Sequence, residues 1–196
     1  MKVTEIVPFG KTRSKVLTDE DFVFVLYRGE LRRFGIAEDA VLTEEFLEGT
    51  LFPFLTKRAK ERVVNLLKDQ DRTEQELRRK LRASWYPEPC IDSVISWARD
   101  LHYVDDERYA RYYLESHSDR RSRRRLIFDL MNRGIPKEVT ERLLLEAPAD
   151  EEAAVEKELR KKRYDPETAD DDTKRKLAAY LSRKGYGWEI IGRYLR

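Results

Sequence analysis

The chain has 196 residues and 40% of them are charged, yet 40 lysines and arginines nearly balance 38 aspartates and glutamates, leaving a formal net charge of +2. That balance excludes a simple polycation on DNA, although a basic face can still be segregated from acidic ones. Cys90 is the only cysteine, which excludes an intramolecular disulfide, and no apolar run approaches the ~18 residues of a membrane span. The opening MKVTEIVPFGKTR also lacks the apolar core of a secretion signal, so a soluble, cytoplasmic protein is expected.

Residues 1–55 contain short runs of β-branched and aromatic side chains: Val3–Phe9, Phe22–Tyr27 and, after a turn at Arg28-Gly29-Glu30, Leu31–Phe34. Their spacing predicts a small antiparallel sheet. Thr43-Glu44-Glu45-Phe46 then predicts a short capped helix.

From about Ala59 the texture becomes helical, and an internal repeat emerges. ELRRKLRASWY (76–86), RLIFDLMNRGI (125–135) and KLAAYLSRKGY (176–186) align without gaps at offsets of 49 and 51 residues. Leu77, Leu126 and Leu177 coincide, as do Leu81, Leu130 and Leu181, then Tyr86, Ile135 and Tyr186. Downstream, Cys90, Val139 and Ile190 fall together, followed by Val94, Leu143 and Tyr194. A further helical stretch precedes each unit: Ala59–Lys68, Asp106–Ser116 and Glu151–Lys162. The predicted fold is mainly α: three tandem three-helix repeats (59–105, 106–148 and 149–196) in an elongated array, preceded by a small β-rich domain (1–55). Stacked units of this kind bury more surface together than apart.

Capping chemistry marks the same boundaries. Thr73, Ser122 and Asp171 occupy N-cap-like positions. Gly134 and Gly185 follow the second helices of their units, where positive φ is common, whereas the first unit carries Trp85 there, which predicts a different turn. Pro87 and Pro136 suit the first turn of the third helices.

Catalytic chemistry finds little support. His102 and His117 lack metal-ligand spacing to Cys90, and there is no phosphate loop, zinc-protease motif or nucleophile elbow. Asp105-Asp106-Glu107 could ligate Mg²⁺ for a nuclease, but these residues open a helix, where carboxylates complement the macrodipole. The Asp170-Asp171-Asp172 run reads the same way. Tyr109, Tyr112 and Tyr113 could stack on bases, but their i, i+3, i+4 spacing favours a buried helix face.

The run DRRSRRRL (119–126) puts five arginines within six positions. Arg123 precedes Leu126 and Ile127 by one turn, so its stem is expected along the core edge. Arg120, Arg121, Arg124 and Arg125 are expected to project outward. Arginines in a first helical turn oppose the macrodipole, which leaves two readings: an anionic partner, either phosphate or a carboxylate-lined protein surface, or a merely solvated loop.

LHYVDDERYARYYLESH (101–117) resembles the signature of the RecX family of recombinase regulators, through Tyr103, Asp105, Asp106, Glu107, Arg108, Tyr109 and Ala110. RTEQELRRKL (72–81) is similar to the family's first-unit segment through Arg72, Glu74, Glu76, Leu77, Lys80 and Leu81. Arg125, Leu126, Leu130, Gly134 and Ile135 match its second-unit pattern, and YRGELRRFGI (27–36) resembles an N-terminal β-rich extension of some members. The likeness covers roughly 59–196. Departures are His102 and Trp85 in place of glycines, Ser122-Arg123 in place of Gly-Pro, and Asp129 in place of glutamate.

The resemblance implies a curved helical array without enzymatic activity, metal or cofactor. It implies a protein that lodges in the groove of the RecA–single-stranded DNA filament and inhibits strand exchange, ATP hydrolysis and co-protease activity by capping or destabilising the filament; a monomer is expected. Such a regulator would act in homologous recombination, DNA repair and the SOS response, meeting single-stranded DNA weakly or through RecA. Arg120, Arg121, Arg124 and Arg125 are the first contact candidates, with Lys174, Arg175 and Lys176 at the corresponding place in the third unit. The alternative is a stand-alone DNA-binding protein with helix-turn-helix-like units.

Overall fold

The computed structural model describes residues 1–195 and divides into two compact units, Met1–Val104 and Asp105–Arg196. The first begins with a three-stranded antiparallel meander of β1 (Val3–Phe9), β2 (Arg13–Thr18) and β3 (Val23–Tyr27), in the order β1-β2-β3. The middle strand is one that hydrophobicity does not signal, because RSKVLT alternates Ser14, Val16 and Thr18 inward. Thr18 earns its buried place by closing the turn to β3: its hydroxyl accepts from the Phe22 N–H at 3.2 Å and donates to the Phe22 carbonyl at 3.0 Å.

Leu31–Phe34 does not form a strand. It lies in helix α1 (Arg28–Phe34), because the Glu30 carboxylate accepts the Tyr27 N–H at 2.7 Å and Gly35, at φ 64°, ends the turn. A local cap at each end overrides the β propensity of the short apolar run.

Thr43 caps the short α2 (Glu44–Phe46) as expected, its hydroxyl accepting from the Phe46 N–H at 3.2 Å. A π-helical turn, Leu47–Leu51, leads directly into α3 (Phe52–Asp69). This helix passes from one core to the next: Leu55 packs with Val3, Phe24, Leu26 and Cys90 under the sheet, while Ala59, Val63 and Leu66 pack into the first repeat.

The first repeat is completed by α4 (Glu74–Ala83) and α5 (Glu88–Asp100). Thr73 and Glu76 form a reciprocal capping box, each backbone N–H donating to the other's side chain at 3.2 Å. The second unit holds α6 (Asp106–His117), α7 (Arg123–Met131) and α8 (Lys137–Glu146), then α9 (Glu151–Lys161), α10 (Asp171–Arg183) and α11 (Trp188–Tyr194). All six aligned leucines are buried, which is why their four-residue spacing revealed the repeat. Pro87 and Pro136 stand one position earlier than expected, as the N-caps of α5 and α8, and the cap of α10 is Asp170 where the sequence suggested Asp171.

The turn after the second helix is the same in all three repeats, contrary to the expectation for Trp85. Trp85, Gly134 and Gly185 all have positive φ, at 61°, 88° and 92°. In each case the residue itself donates to the carbonyl three positions back, and the next residue donates five positions back: Trp85 to Arg82 and Tyr86 to Leu81, for example, at 2.9 and 3.2 Å. Lys15 compensates the strained tryptophan, its ammonium 3.5 Å from the indole ring centroid. His102 has positive φ as well, at 55°, a conformation more often taken by glycine.

Candidate functional site

The arginine run is organised by one serine. Ser122 is buried at the N-terminus of α7, where its hydroxyl accepts from the Arg125 N–H at 3.2 Å and donates to the Lys184 carbonyl of the third repeat at 2.7 Å. The cap of one repeat is therefore tied to the turn of the next. Glu151, opening α9, accepts from the Arg123 N–H at 2.8 Å. This carboxylate supplies the negative charge that the helix N-terminus favours and that its own first turn lacks.

The arginines fall into two classes. Arg121 folds back onto the Tyr113 hydroxyl and the Asp129 carboxylate, and Arg125 Nε lies 2.9 Å from the other Asp129 oxygen. Asp129 is buried, and the Tyr113 hydroxyl donates to it at 3.1 Å. Burial, followed by the nearby Asp129 charge, pushes the Tyr113 phenol up from its ordinary range. Arg133 stacks on the same ring at 4.8 Å and donates to the Tyr109 hydroxyl at 2.9 Å.

Arg120, in contrast, has only a loose contact to Asp119 at 3.4 Å, and Arg124 is exposed with no ion pair among the described residues. Arg123 is exposed too, which corrects the expectation that it lines the core edge; the half-buried arginine is Arg121. The reason is the direction of the helical entry, since Arg121 precedes the Ser122 cap and can fold back toward α6.

The third repeat contributes two further cations. Lys184 Nζ contacts the buried Glu158 carboxylate at 2.5 Å, which also accepts from the Tyr180 hydroxyl at 2.7 Å and Lys161 at 3.0 Å. Burial alone would raise the Glu158 carboxyl, but these three donors outweigh it and hold it at about 2. Arg183 is exposed beside Lys184. Together with Arg120, Arg121 and Arg125 they line a cleft of about 350 Å³ between α7 and the turn after α10. Ser122 and Tyr186 form its floor. Such a pocket can receive phosphate or carboxylate groups, with fixed guanidinium planes on one wall and freer cations at the mouth.

The third-unit candidates Lys174, Arg175 and Lys176 are not brought into this cleft. They lie near the N-terminus of α10, about 15 Å along the helix from Lys184 at ~1.5 Å per residue. Lys176 pairs with Asp172 at 2.6 Å on the surface. Arg183 and Lys184 were missed because a basic last turn ordinarily reads as a complement to the helix dipole. The signal available was the repeat itself, which aligns Lys184 with Arg133.

The signature residues around α6 are architectural in their contacts. Asp105 caps the helix, accepting from the Arg108 N–H at 2.9 Å. Glu107 contacts Arg142 at 2.7 Å and Arg111 at 2.9 Å, joining α6 to α8, and these partners lower its carboxyl. Asp106 lies in the first turn, Ala110 is buried, Tyr109 is half-buried, and exposed Tyr103 meets Trp97 edge-on at 5.5 Å. Tyr112 does not join the buried stripe. It is 67% exposed, because the helix buries Ala110, Tyr113 and Leu114 instead. Among the described residues, no group of three or more His, Cys, Asp or Glu side chains is placed to hold a metal ion. Nor is any described helix long and apolar enough to cross a membrane.

Models of the first, second and third three-helix domains of RecX match residues 59–97, 105–144 and 150–195, in that order. The chain belongs to the RecX family. Regulatory protein RecX of Clostridium acetobutylicum is 28% identical over 192 residues, spanning 95% of this chain and 90% of the relative. That of Caldanaerobacter subterraneus subsp. tengcongensis is 28% identical over 198 residues, spanning 100% and 98%. A crystal structure of a regulatory protein RecX shares the fold with a TM-score of 0.61 at 20% identity, over 96% of each chain. RecX from Lactobacillus salivarius gives 0.58 at 22%, over 72% of this chain and 94% of that one. The RecX relatives are named regulatory proteins, not enzymes.

Proposed function

We propose that this protein is a non-enzymatic, cytoplasmic monomer that binds the RecA–single-stranded DNA filament in its helical groove. There it inhibits strand exchange, ATP hydrolysis and co-protease activity, without metal or cofactor. The observation that carries this reading is the complete set of three RecX domains in family order along one chain. The basic cleft between the second and third repeats supplies the contact, because both candidate counter-surfaces, DNA phosphates and protein carboxylates, are anionic. In this reading Arg120, Arg124 and Arg183 reach the filament, while Arg121 and Arg125 shape the cleft. Lys174, Arg175 and Lys176 form a second, separate contact.

The test is to add the purified chain to RecA on single-stranded DNA and follow ATPase activity and strand exchange. Inhibition at or below stoichiometric amounts is expected, and its absence refutes the proposal. The same five-cation cleft also suits a stand-alone DNA-binding protein. Tight, sequence-selective binding to DNA without RecA, with a steep salt dependence, favours that second reading.

A further inference from the structure

A second cleft lies wholly within the first unit, at the seam where β2 and β3 meet α3 and the turn after α4. Its volume is about 440 Å³, within the range of small-ligand sites. Arg58 forms its back wall. The guanidinium is held by the Glu30 carboxylate at 2.8 Å and the Val25 carbonyl at 2.6 Å, and it lies over the rings of Tyr27 and Tyr86 at 5.5 and 5.6 Å. These bonds explain Arg58 as a staple between sheet and helix. They do not explain what surrounds it.

At the mouth stand Arg13 from β2 and Arg62 from α3, neither of which has a carboxylate partner among the described residues. Arg78, which pairs with Glu74 and Asp92, Arg82, which pairs with Glu88, and Arg99, which pairs with Glu74, lie outside the cleft and are neutralised by carboxylates. Tyr27 is 44% exposed beside them and offers an aromatic face. Asn65 and Ser84 add neutral hydrogen-bonding groups, and Glu61 is the one exposed carboxylate on the lining. Arg13 also lies over the Phe9 ring at 5.0 Å, so what both arginines lack is an anion. Two cations without a carboxylate partner suit a phosphate, the tyrosine suits a planar ring, and the amide, hydroxyl and carboxylate suit the polar edge of a base.

We infer that this cleft binds a nucleotide unit: base against Tyr27, phosphate between Arg13 and Arg62, and base edge toward Asn65, Ser84 and Glu61. The unit could belong to a free nucleotide or to a strand of nucleic acid, which present the same chemistry to the cleft. The site does not depend on the RecA reading, and its residues are separate from the cleft between repeats two and three.

The full-length chain is titrated with AMP, with inorganic phosphate and with a single-stranded 15-mer of thymidylate, following backbone amide shifts at Tyr27, Asn65, Ser84 and Tyr86. The expected result is saturable shifts at these positions with a nucleotide-bearing ligand and weaker ones with phosphate. The Arg13→Ala/Arg62→Ala double variant should bind about tenfold more weakly, having lost two charge-assisted contacts. Arg62 is exposed and Arg13 is half-buried beside the Phe9 ring, so an unchanged far-ultraviolet spectrum and unfolding midpoint check the fold. Response to AMP identifies a free nucleotide as sufficient; response to the oligonucleotide alone identifies a strand. Shifts absent at all four positions, phosphate binding as tightly as either nucleotide ligand, or a double variant with wild-type affinity would each overturn the inference.

Discussion

Gly185 sits where a side chain would collide with Ser122: a Cβ built on Gly185 would come 2.8 Å from the serine hydroxyl oxygen. Gly185 also has φ 92°, and the adjoining Lys184 carbonyl accepts the Ser122 hydroxyl at 2.7 Å. One glycine thus serves both the turn of the third repeat and the close approach of the second. Replacing it by alanine adds backbone strain to a steric clash, with an expected cost of about 2 kcal/mol. Ser122→Ala removes a cap and a hydrogen bond across the repeats, costing about 1–2 kcal/mol. Because the two residues touch, their effects should be non-additive in a double-mutant cycle read by denaturant unfolding.

The arginine quartet should separate into two behaviours. Arg120→Gln and Arg124→Gln are expected to leave stability within about 0.5 kcal/mol while weakening filament binding. Arg121→Gln should do more, because it leaves the buried Asp129 carboxylate with one fewer cation. A loss of about 2 kcal/mol is expected in thermal unfolding. Equal stability of all three variants would show that the Asp129 contacts contribute nothing.

Glu158 gives the second unit an acid-sensitive joint. Its folded carboxyl is held at about 2 against an ordinary value of 4.5, by Lys184, Tyr180 and Lys161 acting against the effect of burial. A lowered folded pKa gives stability that is complete above the unfolded value and is lost as pH falls through the interval toward the folded one. Between about pH 4.5 and pH 2, roughly 3 kcal/mol should therefore disappear. Glu158→Gln should be destabilised at neutral pH and show a flatter profile across that window. An unchanged acid profile would refute the assignment.

At the turn of the first repeat, Trp85 bears positive φ and its ring carries Lys15. Trp85→Ala keeps the strain and loses the ring, whereas Trp85→Gly loses the ring but relieves the strain. The glycine variant should be the more stable of the two by about 1 kcal/mol, measured as unfolding midpoints at equal denaturant sensitivity.

Which features could be read from the sequence follows from what fixes them. The three helical repeats were legible because Leu77, Leu81 and their counterparts are buried at a helical spacing, whatever their neighbours do. The strand β2 was not legible, because its inward residues include Ser14 and Thr18, whose burial depends on pairing and a turn bond. Leu31–Phe34 misled because Glu30 and Gly35, not the apolar residues between them, decide its conformation. The run from Arg120 to Arg125 was visible as charge. Its partition was hidden, since Arg121 folds back across the Ser122 cap onto Asp129, and Arg183 and Lys184 reach the run only through tertiary packing.

The most direct measurement is hydrogen exchange of the full chain, free and bound to RecA on single-stranded DNA. Added protection is expected at residues 120–126 and 183–187, the two walls of the basic cleft, accompanied by inhibition of the RecA ATPase. Inhibition with exchange in both segments unchanged would contradict the cleft as the contact, and no protection anywhere on the chain would contradict filament binding itself.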